Sequence, residues 1–302
     1  MSLARVLRTA VTNPGQFIAR GLGRSAPSIL FSRYTQLAKR QGLTRPYFVL
    51  SFDCDTDEDI AVVESVHDRL ADIGITPVYA VPGRMLEKGR ETYLRIARSG
   101  AEFISHGYRE HCRFNPSTRT YDSDVFYDQM SDEMVADDIQ KGRQTFIELF
   151  GKAPRGFRAP HFGTYQRAEH LDFLHSALKA LGYEYSSSTT PVYGFMNGPI
   201  STTRHGLREV PVSGCFDNPL MILDSWGFRF DPARTCDETD YVKQFTKMTS
   251  MFISNNRPGI LNYYADPSQV HDWPAFFDCM KLAAPIAVPS YQALFDDVAR
   301  EP

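Results

Sequence analysis

Two aspartates flank a single cysteine in Ser51-Phe52-Asp53-Cys54-Asp55, at the end of an apolar run. In an extended strand, residues i and i+2 point to one face, so both carboxylates share a side. Two such charges repel unless a cation joins them or one holds a proton. The alternative is a turn that caps the helix beginning at 57, a place Asp favours. Further on, Ser105-His106-Gly107-Tyr108-Arg109-Glu110-His111 brings two imidazoles and a carboxylate within six residues. Imidazole nitrogen and carboxylate oxygen are donors that zinc takes, and a catalytic zinc keeps one position open for water. A lone histidine is more often a plain surface or core residue. Two with a glutamate, and two aspartates elsewhere, point to a metal site.

These residues need elements to position them. Residues 47–52 read as a buried strand, followed by Ile60, Val63, Val66, His67, Leu70 and Ile73 at helical spacing. Strands are expected at 77–81, 101–106, 156–160, 183–187, 208–212 and 259–264. Helices are expected near 90–98, around Val135–Phe150 with Gly151 as a stop, over Leu171–Leu181, around Val242–Phe252, and near 274–284 and 290–299. Residues 107–130, 188–207 and 213–236 read as irregular. Strands alternating with helices imply parallel pairing. Parallel strands carry their chemistry at their C-terminal ends, where Asp53, Asp55 and His106 fall, with Arg158 in the next strand.

In this order and spacing the motifs resemble the polysaccharide deacetylase family (NodB homology, carbohydrate esterase family 4). Ser51-Phe52-Asp53-Cys54-Asp55 is similar to its first motif, His106-Gly107-Tyr108-Arg109-Glu110-His111 to its second, and Gly156-Phe157-Arg158-Ala159-Pro160-His161 to its third. Gly182-Tyr183-Glu184-Tyr185-Ser186-Ser187-Ser188 and Arg208-Glu209-Val210-Pro211-Val212 resemble two further family strands. The resemblance implies an α/β fold, a distorted (β/α)7 barrel over residues 46–302, preceded by a basic, partly helical arm over 1–45. It implies a divalent metal, zinc first, held by Asp55 and His106. Asp53 would be the general base, oriented by Arg158, and a backbone N–H near His161 would help hold the oxyanion. Pro160 and His161 would border the substrate.

Three departures from the family pattern matter. The second ligand histidine belongs at i+4 from the first; here i+4 is Glu110 and His111 is at i+5, so either completes the triad, with His111 preferred for its ligand type. The late strand that should end in a histidine general acid ends in Asp266-Pro267, which makes Asp266 the candidate acid if its pKa is raised, with His271 as the alternative. The fourth motif has no clear copy. Asp224-Ser225-Trp226 is not expected to brace catalysis; Trp226, with Phe228 and Phe230, would instead cover substrate. Cys54 reads as a buried apolar residue, and His67 and His175 as structural.

Composition excludes other classes. The chain has 302 residues, 42% hydrophobic and 23% charged, which argues for a globular protein. No apolar run reaches the ~20 residues of a membrane span. The net charge of −3 argues against nucleic acid as a partner. Five scattered cysteines without a CxxC argue against a disulfide framework and a cysteine zinc site. Arg5, Arg8 and Pro14 interrupt any leader-like apolar segment, so a cytoplasmic location is expected. Residues 1–45 hold Arg5, Arg8, Arg20, Arg24, Arg33, Lys39, Arg40 and Arg45 and no acid. Leu3, Val6, Leu7, Ala10 and Val11 form a helical stripe beside them. Such a segment suits peripheral contact with an anionic inner membrane face, or an oligomer interface.

The resulting expectation is a metal-dependent N-deacetylase acting on an N-acetylated sugar, free or lipid-linked, in surface-polysaccharide, lipopolysaccharide or cell-wall synthesis. Two rivals stand beside it. One is a metal-free, allantoinase-like hydrolase of cyclic amides, whose branch shares the His106-Gly107-Tyr108-Arg109 pattern. The other is a non-catalytic glycan-binding protein; retention of Asp53, Asp55 and Arg158 counts against it, because buried like charges cost stability.

Overall fold

The computed structural model describes residues 14–300. In chain order the elements are α1 (Pro14–Ser25), α2 (Pro27–Arg40), β1 (Pro46–Asp53), α3 (Asp57–Ala71), β2 (Val78–Val81), α4 (Gly83–Lys88), α5 (Arg90–Arg98) and β3 (Phe103–Ser105). Then come β4 (Cys112–Asn115), β5 (Thr120–Ser123), α6 (Asp132–Phe150), β6 (Gly156–Phe157), α7 (Ala168–Ala180), β7 (Tyr185–Ser186), α8 (Pro191–Asn197), β8 (Ser201–Thr202) and β9 (Arg208–Glu209). The chain ends with α9 (Ser225–Arg229), α10 (Glu238–Ser254), β10 (Gly259–Ala265), α11 (Pro267–Val270), α12 (Pro274–Ala283) and α13 (Tyr291–Arg300).

One curled sheet organises the molecule, in the order β10-β1-β2-β3-β6-β7-β9-β8. Every pair in it is parallel except β8 with β9. The seven parallel strands are those expected of a distorted (β/α)7 barrel. Every residue of β1 is buried, as a parallel strand covered on both faces should be. Its alternate residues serve two cores. Phe48, Leu50 and Phe52 pack with Val63, Val66 and Leu70 of α3 in the outer layer. Tyr47 and Val49 join Val78, Ala80, Ile104 and Tyr185 on the other face, where Tyr291, Leu294 and Phe295 of α13 close the core. Ser51 and Asp53 continue that second row, so the same alternation that fills the core delivers the first carboxylate. Cys54 falls on the outer side, fully buried.

β9 and β10 share no strand ladder, and bonds from the segment after β9 bridge the gap. Ser213 N–H donates to the Asn262 carbonyl (2.8 Å), and Asn262 N–H donates to Ser213 Oγ (2.9 Å). Asn262 Nδ2 donates to the carbonyls of Val210 and Pro211 at 3.1 Å each.

Several stretches differ from the sequence expectation. Residues 107–130 are not a plain loop: β4 and β5 form an antiparallel hairpin, because Phe114 and Tyr121 pair across it. Residues 188–207 contain α8 and β8, and α9 forms within 213–236. The strands expected at 156–160, 183–187 and 208–212 are each two residues long. Beyond them the chain keeps single bonds, such as Arg158 N–H to the Ser105 carbonyl, while side chains take over the pairing. In the N-terminal stretch, α2 buries Leu30, Phe31 and Ala38 against the body. The Leu3–Val11 stripe lies outside the described residues.

Candidate active site

Asp55 leaves β1 at its C-terminal end, and His106 follows β3. His111 stands at the root of the β4–β5 hairpin. Their donor atoms gather within 4.8 Å of one another: Asp55 Oδ2 is 3.0 Å from His111 Nε2, and Asp55 Oδ1 is 3.6 Å from His106 Nε2. Both imidazoles use Nδ1 on a backbone carbonyl, His106 on Arg158 (2.8 Å) and His111 on Arg109 (3.3 Å). That contact puts the proton on Nδ1 and leaves each Nε2 facing the cluster, the arrangement of a metal-binding histidine. Asp55 Oδ1 is buried with no hydrogen-bond partner among the described residues, and His111 Nε2 is buried against Asp55 Oδ2. Burial pushes the His106 pKa down to about 3, so its ring is neutral. Burial opposes ionisation of Asp55, but His111 and His106 pull its carboxyl below the ordinary range. Glu110 lies elsewhere: it pairs with Lys88 Nζ at 3.0 Å.

Asp53 stands beside this cluster, its Oδ2 3.8 Å from His106 Nε2. Its Oδ1 accepts a 2.6 Å bond from Arg158 Nη1. Arg158 is fully buried and spends its other donors on the Ser187 carbonyl (3.3 Å), Ser187 Oγ (3.3 Å) and Tyr291 Oη (3.1 Å). Tyr291 in turn donates to Asn262 Oδ1 at 2.8 Å. Burial raises the Asp53 pKa to about 6 against the pull of Arg158, and Asp55 adds to the rise.

Asp266, at the end of β10, is 9% exposed. Its carboxyl is held well above the ordinary range by burial and by Asp59, Asp55 and Asp53 nearby. Its N–H donates to Ser225 Oγ (3.0 Å), and the same hydroxyl lies 3.3 Å from Asp266 Oδ2 and 2.7 Å from Gln269 Oε1. His271 is turned to the surface, its Nδ1 on the Ser268 carbonyl (2.8 Å). Pro160 is buried. The His161 ring lies 5.1 Å from that of His111 and 4.4 Å from Phe126, with Nε2 on the Asp124 carbonyl (2.9 Å). Phe162 and Tyr264 pack at 4.8 Å beside Arg158. Trp226 is half-buried on α9. Phe228 does not cover a substrate site: it is buried in the outer core against Tyr241, at 5.7 Å. His67 is buried between Tyr79 Oη and Ser99 Oγ, and His175 faces Glu209, so both bonds are structural.

Three neighbours escaped the sequence reading. Asp59 accepts from Asp55 N (3.0 Å), Thr56 N (2.9 Å) and Thr56 Oγ1 (2.8 Å) through Oδ2, and from Ser268 N (2.9 Å) through Oδ1. It therefore ties the Asp55 loop to the loop after Asp266. Its signal was present: Thr56 with Asp59 is a capping box at the start of α3. Ser225 and Tyr291 carried no local signal, because their partners are distant in sequence.

The family model for polysaccharide deacetylase matches residues 40–186, which carry all three motifs. No curated protein matches the chain in sequence. Among solved structures, a Mycobacterium smegmatis protein assigned to the polysaccharide deacetylases superposes with a TM-score of 0.59 at 16% identity, over 86% of this chain and 91% of its own. A probable polysaccharide deacetylase from Pseudomonas aeruginosa PAO1 and the Puue allantoinase each give 0.58 at 11% identity, over 85% of this chain and 89% of theirs. At these identities the likeness is one of fold. Residues 40–186, which carry the three motifs, thus match the polysaccharide deacetylase family, on the fold that these solved structures share.

Proposed function

We propose that this protein is a metal-dependent hydrolase that removes an N-acetyl group from a sugar of a surface polysaccharide, lipopolysaccharide or cell-wall glycan. One observation carries the reading. Asp55 Oδ1 is buried without a hydrogen bond in a three-donor cluster, where His106 Nε2 lies 3.6 Å from it and His111 Nε2 lies 3.0 Å from Oδ2. An orphaned buried polar atom costs about 1–3 kcal/mol, and a cation held among the three donors would relieve it. Two imidazoles and a carboxylate are a set that suits zinc and leaves a coordination position open. When bound, such an ion supplies Lewis acidity, polarising an amide carbonyl and making water more acidic.

The chain's own residues supply the rest. Asp53 takes the proton of the attacking water on Oδ2, the oxygen that Arg158 leaves free. Arg158 fixes the carboxylate's orientation through Oδ1. Asp266, kept protonated by its buried and acidic surroundings, gives a proton to the departing amine. A backbone N–H near His161 would help hold the developing oxyanion. Acetate and a free amine leave.

Metal content of the purified, unchelated chain tests the reading, alongside amine release from N-acetyl sugars. The expected result is about one divalent ion per chain, held much more weakly by His111→Ala and kept in Glu110→Ala. Asp53→Asn should keep the ion and lose about 10²–10⁴ in rate. A wild type that takes up no metal after incubation with zinc would overturn the mechanism and favour the cyclic-amide or glycan-binding readings. The location belongs to the same proposal: cytoplasmic, with peripheral contact to an anionic membrane. The basic residues of the first 45 positions and the exposed Phe17, Ile18 and Ile29 support it.

A further inference from the structure

Asp138 sits on α6, remote from both histidines in sequence, and is 1% exposed. Its Oδ1 accepts the Arg109 N–H at 3.0 Å, with Arg109 Nε 3.6 Å away. Its Oδ2 accepts the Tyr108 N–H at 3.1 Å and the Tyr127 hydroxyl at 2.7 Å. The two backbone donors belong to the loop that joins His106 to His111. Arg109 is the link: its N–H goes to Asp138, and its carbonyl accepts His111 Nδ1. The loop is pressed against α6 from both sides of this contact. Gly107 has φ +80°, and a Cβ there would stand 2.4 Å from Asp138 Oδ2. A Cβ on Gly142 would stand 2.4 Å from the Gly107 carbonyl oxygen. From the opposite edge, the Gly107 and Tyr108 carbonyls accept the N–H groups of Gly83 and Arg84 at 3.0 and 2.9 Å.

We propose that Asp138 is a positioning residue that sets the register of this loop, so that the side chain five residues after His106, and not four, reaches Asp55. Glu110 is thereby turned out to Lys88. The inference rests on the metal reading above. Its chemistry is acceptor capacity at both ends of one short side chain. An asparagine has the same shape, but its NH₂ must face either the Arg109 N–H or the Tyr108 N–H and Tyr127 hydroxyl, so part of the clamp is lost.

The test is zinc affinity, read by competition with a chromophoric chelator on the full chain. The variants are Asp138→Asn, His111→Ala, the two combined, and Tyr127→Phe. Outer partners of metal ligands typically govern 10–100-fold in affinity, so Asp138→Asn should weaken zinc by about that factor. Tyr127→Phe spares both backbone bonds and should leave affinity within about twofold. The decisive readout is the double variant. If Asp138 acts through His111, the combined change binds zinc no more weakly than His111→Ala alone, whereas a general structural role gives additive losses. Additive losses, or an Asp138→Asn affinity equal to wild type, overturn the inference and leave the metal reading standing. A wild type that binds no zinc overturns both. Should Asp138→Asn not fold by circular dichroism, Asp138→Ser, smaller and with one acceptor, is read in its place against the same outcomes.

Discussion

Asp53 and Asp266 are both carboxyls pushed up in pKa, and both for burial first. They differ in what opposes that push. Arg158 donates to Asp53 and holds it to about 6, while the strongest influences on Asp266 after burial are other carboxylates, with a serine hydroxyl beside it. Asp53 is thus ionised, and Asp266 protonated, across one pH interval, the separation that the proposed base and acid need. The sign follows directly. kcat/KM should rise as pH climbs through about 6, where Asp53 loses its proton, and fall at higher pH as Asp266 loses its own. Asp266→Asn should abolish the descending limb and cut the rate by about 10²–10⁴. A pH–rate profile of the two proteins checks this; an unchanged descending limb in the variant would assign the acid elsewhere. Zinc affinity should also grow with pH, since His111, whose pKa is raised by Asp55 against the effect of burial, must give up its proton to bind.

At the scale of elements, the site is made of loops that rigid neighbours hold in place. The Asp55 loop hangs on Asp59 of α3, and the Ser188–Thr189 turn hangs on Glu209 of β9, which accepts both N–H groups at 2.9 Å. In each case a buried carboxylate satisfies backbone donors that a strand has just released. Replacing Asp59 by alanine should therefore do two things. It should lower stability by about 1–3 kcal/mol, through four lost acceptor contacts. It should also lower kcat more than it raises KM, because Asp55 and the loop after Asp266 lose their common anchor. Urea unfolding and steady-state kinetics measure the two effects. Full stability with an unchanged kcat would show that the loops hold their places without it.

At the scale of the whole molecule, the sheet curls until the segment just past β9 meets β10, and Asn262 spans the seam. Besides the two carbonyls across the seam, its Nδ2 donates to Ser187 Oγ (3.1 Å) and its Oδ1 accepts from Tyr291. The seam is thus continuous with the network around Arg158. Asn262→Ala strands several buried polar groups at once. A loss of about 2–4 kcal/mol is expected, with a fall in activity at temperatures where the variant remains folded. Differential scanning calorimetry with parallel rate measurements would detect a variant that loses stability alone, which would separate the seam from the site.

The amino-acid sequence by itself determined the alternation of strands and helices, because a run such as 47–52 has only one way to be buried on both faces. It also determined where polar residues interrupt that alternation, which is why Asp53, Asp55, His106, His111 and Arg158 were visible as candidates. It left Glu110 and His111 undecided, since a one-residue difference in a loop cannot be weighed without the surface on which the loop lies. In the tertiary structure His111 stands beside Asp55 while Glu110 meets Lys88, and Asp138 and Gly142 lie against Gly107–Arg109. The tertiary structure likewise turned Phe228 into the core and brought Tyr291 from the last helix to Arg158. It formed the β4–β5 hairpin where local signals read as a loop. Local periodicity reports which residues must be buried. Contacts between segments far apart in the chain decide which polar atom each buried group meets.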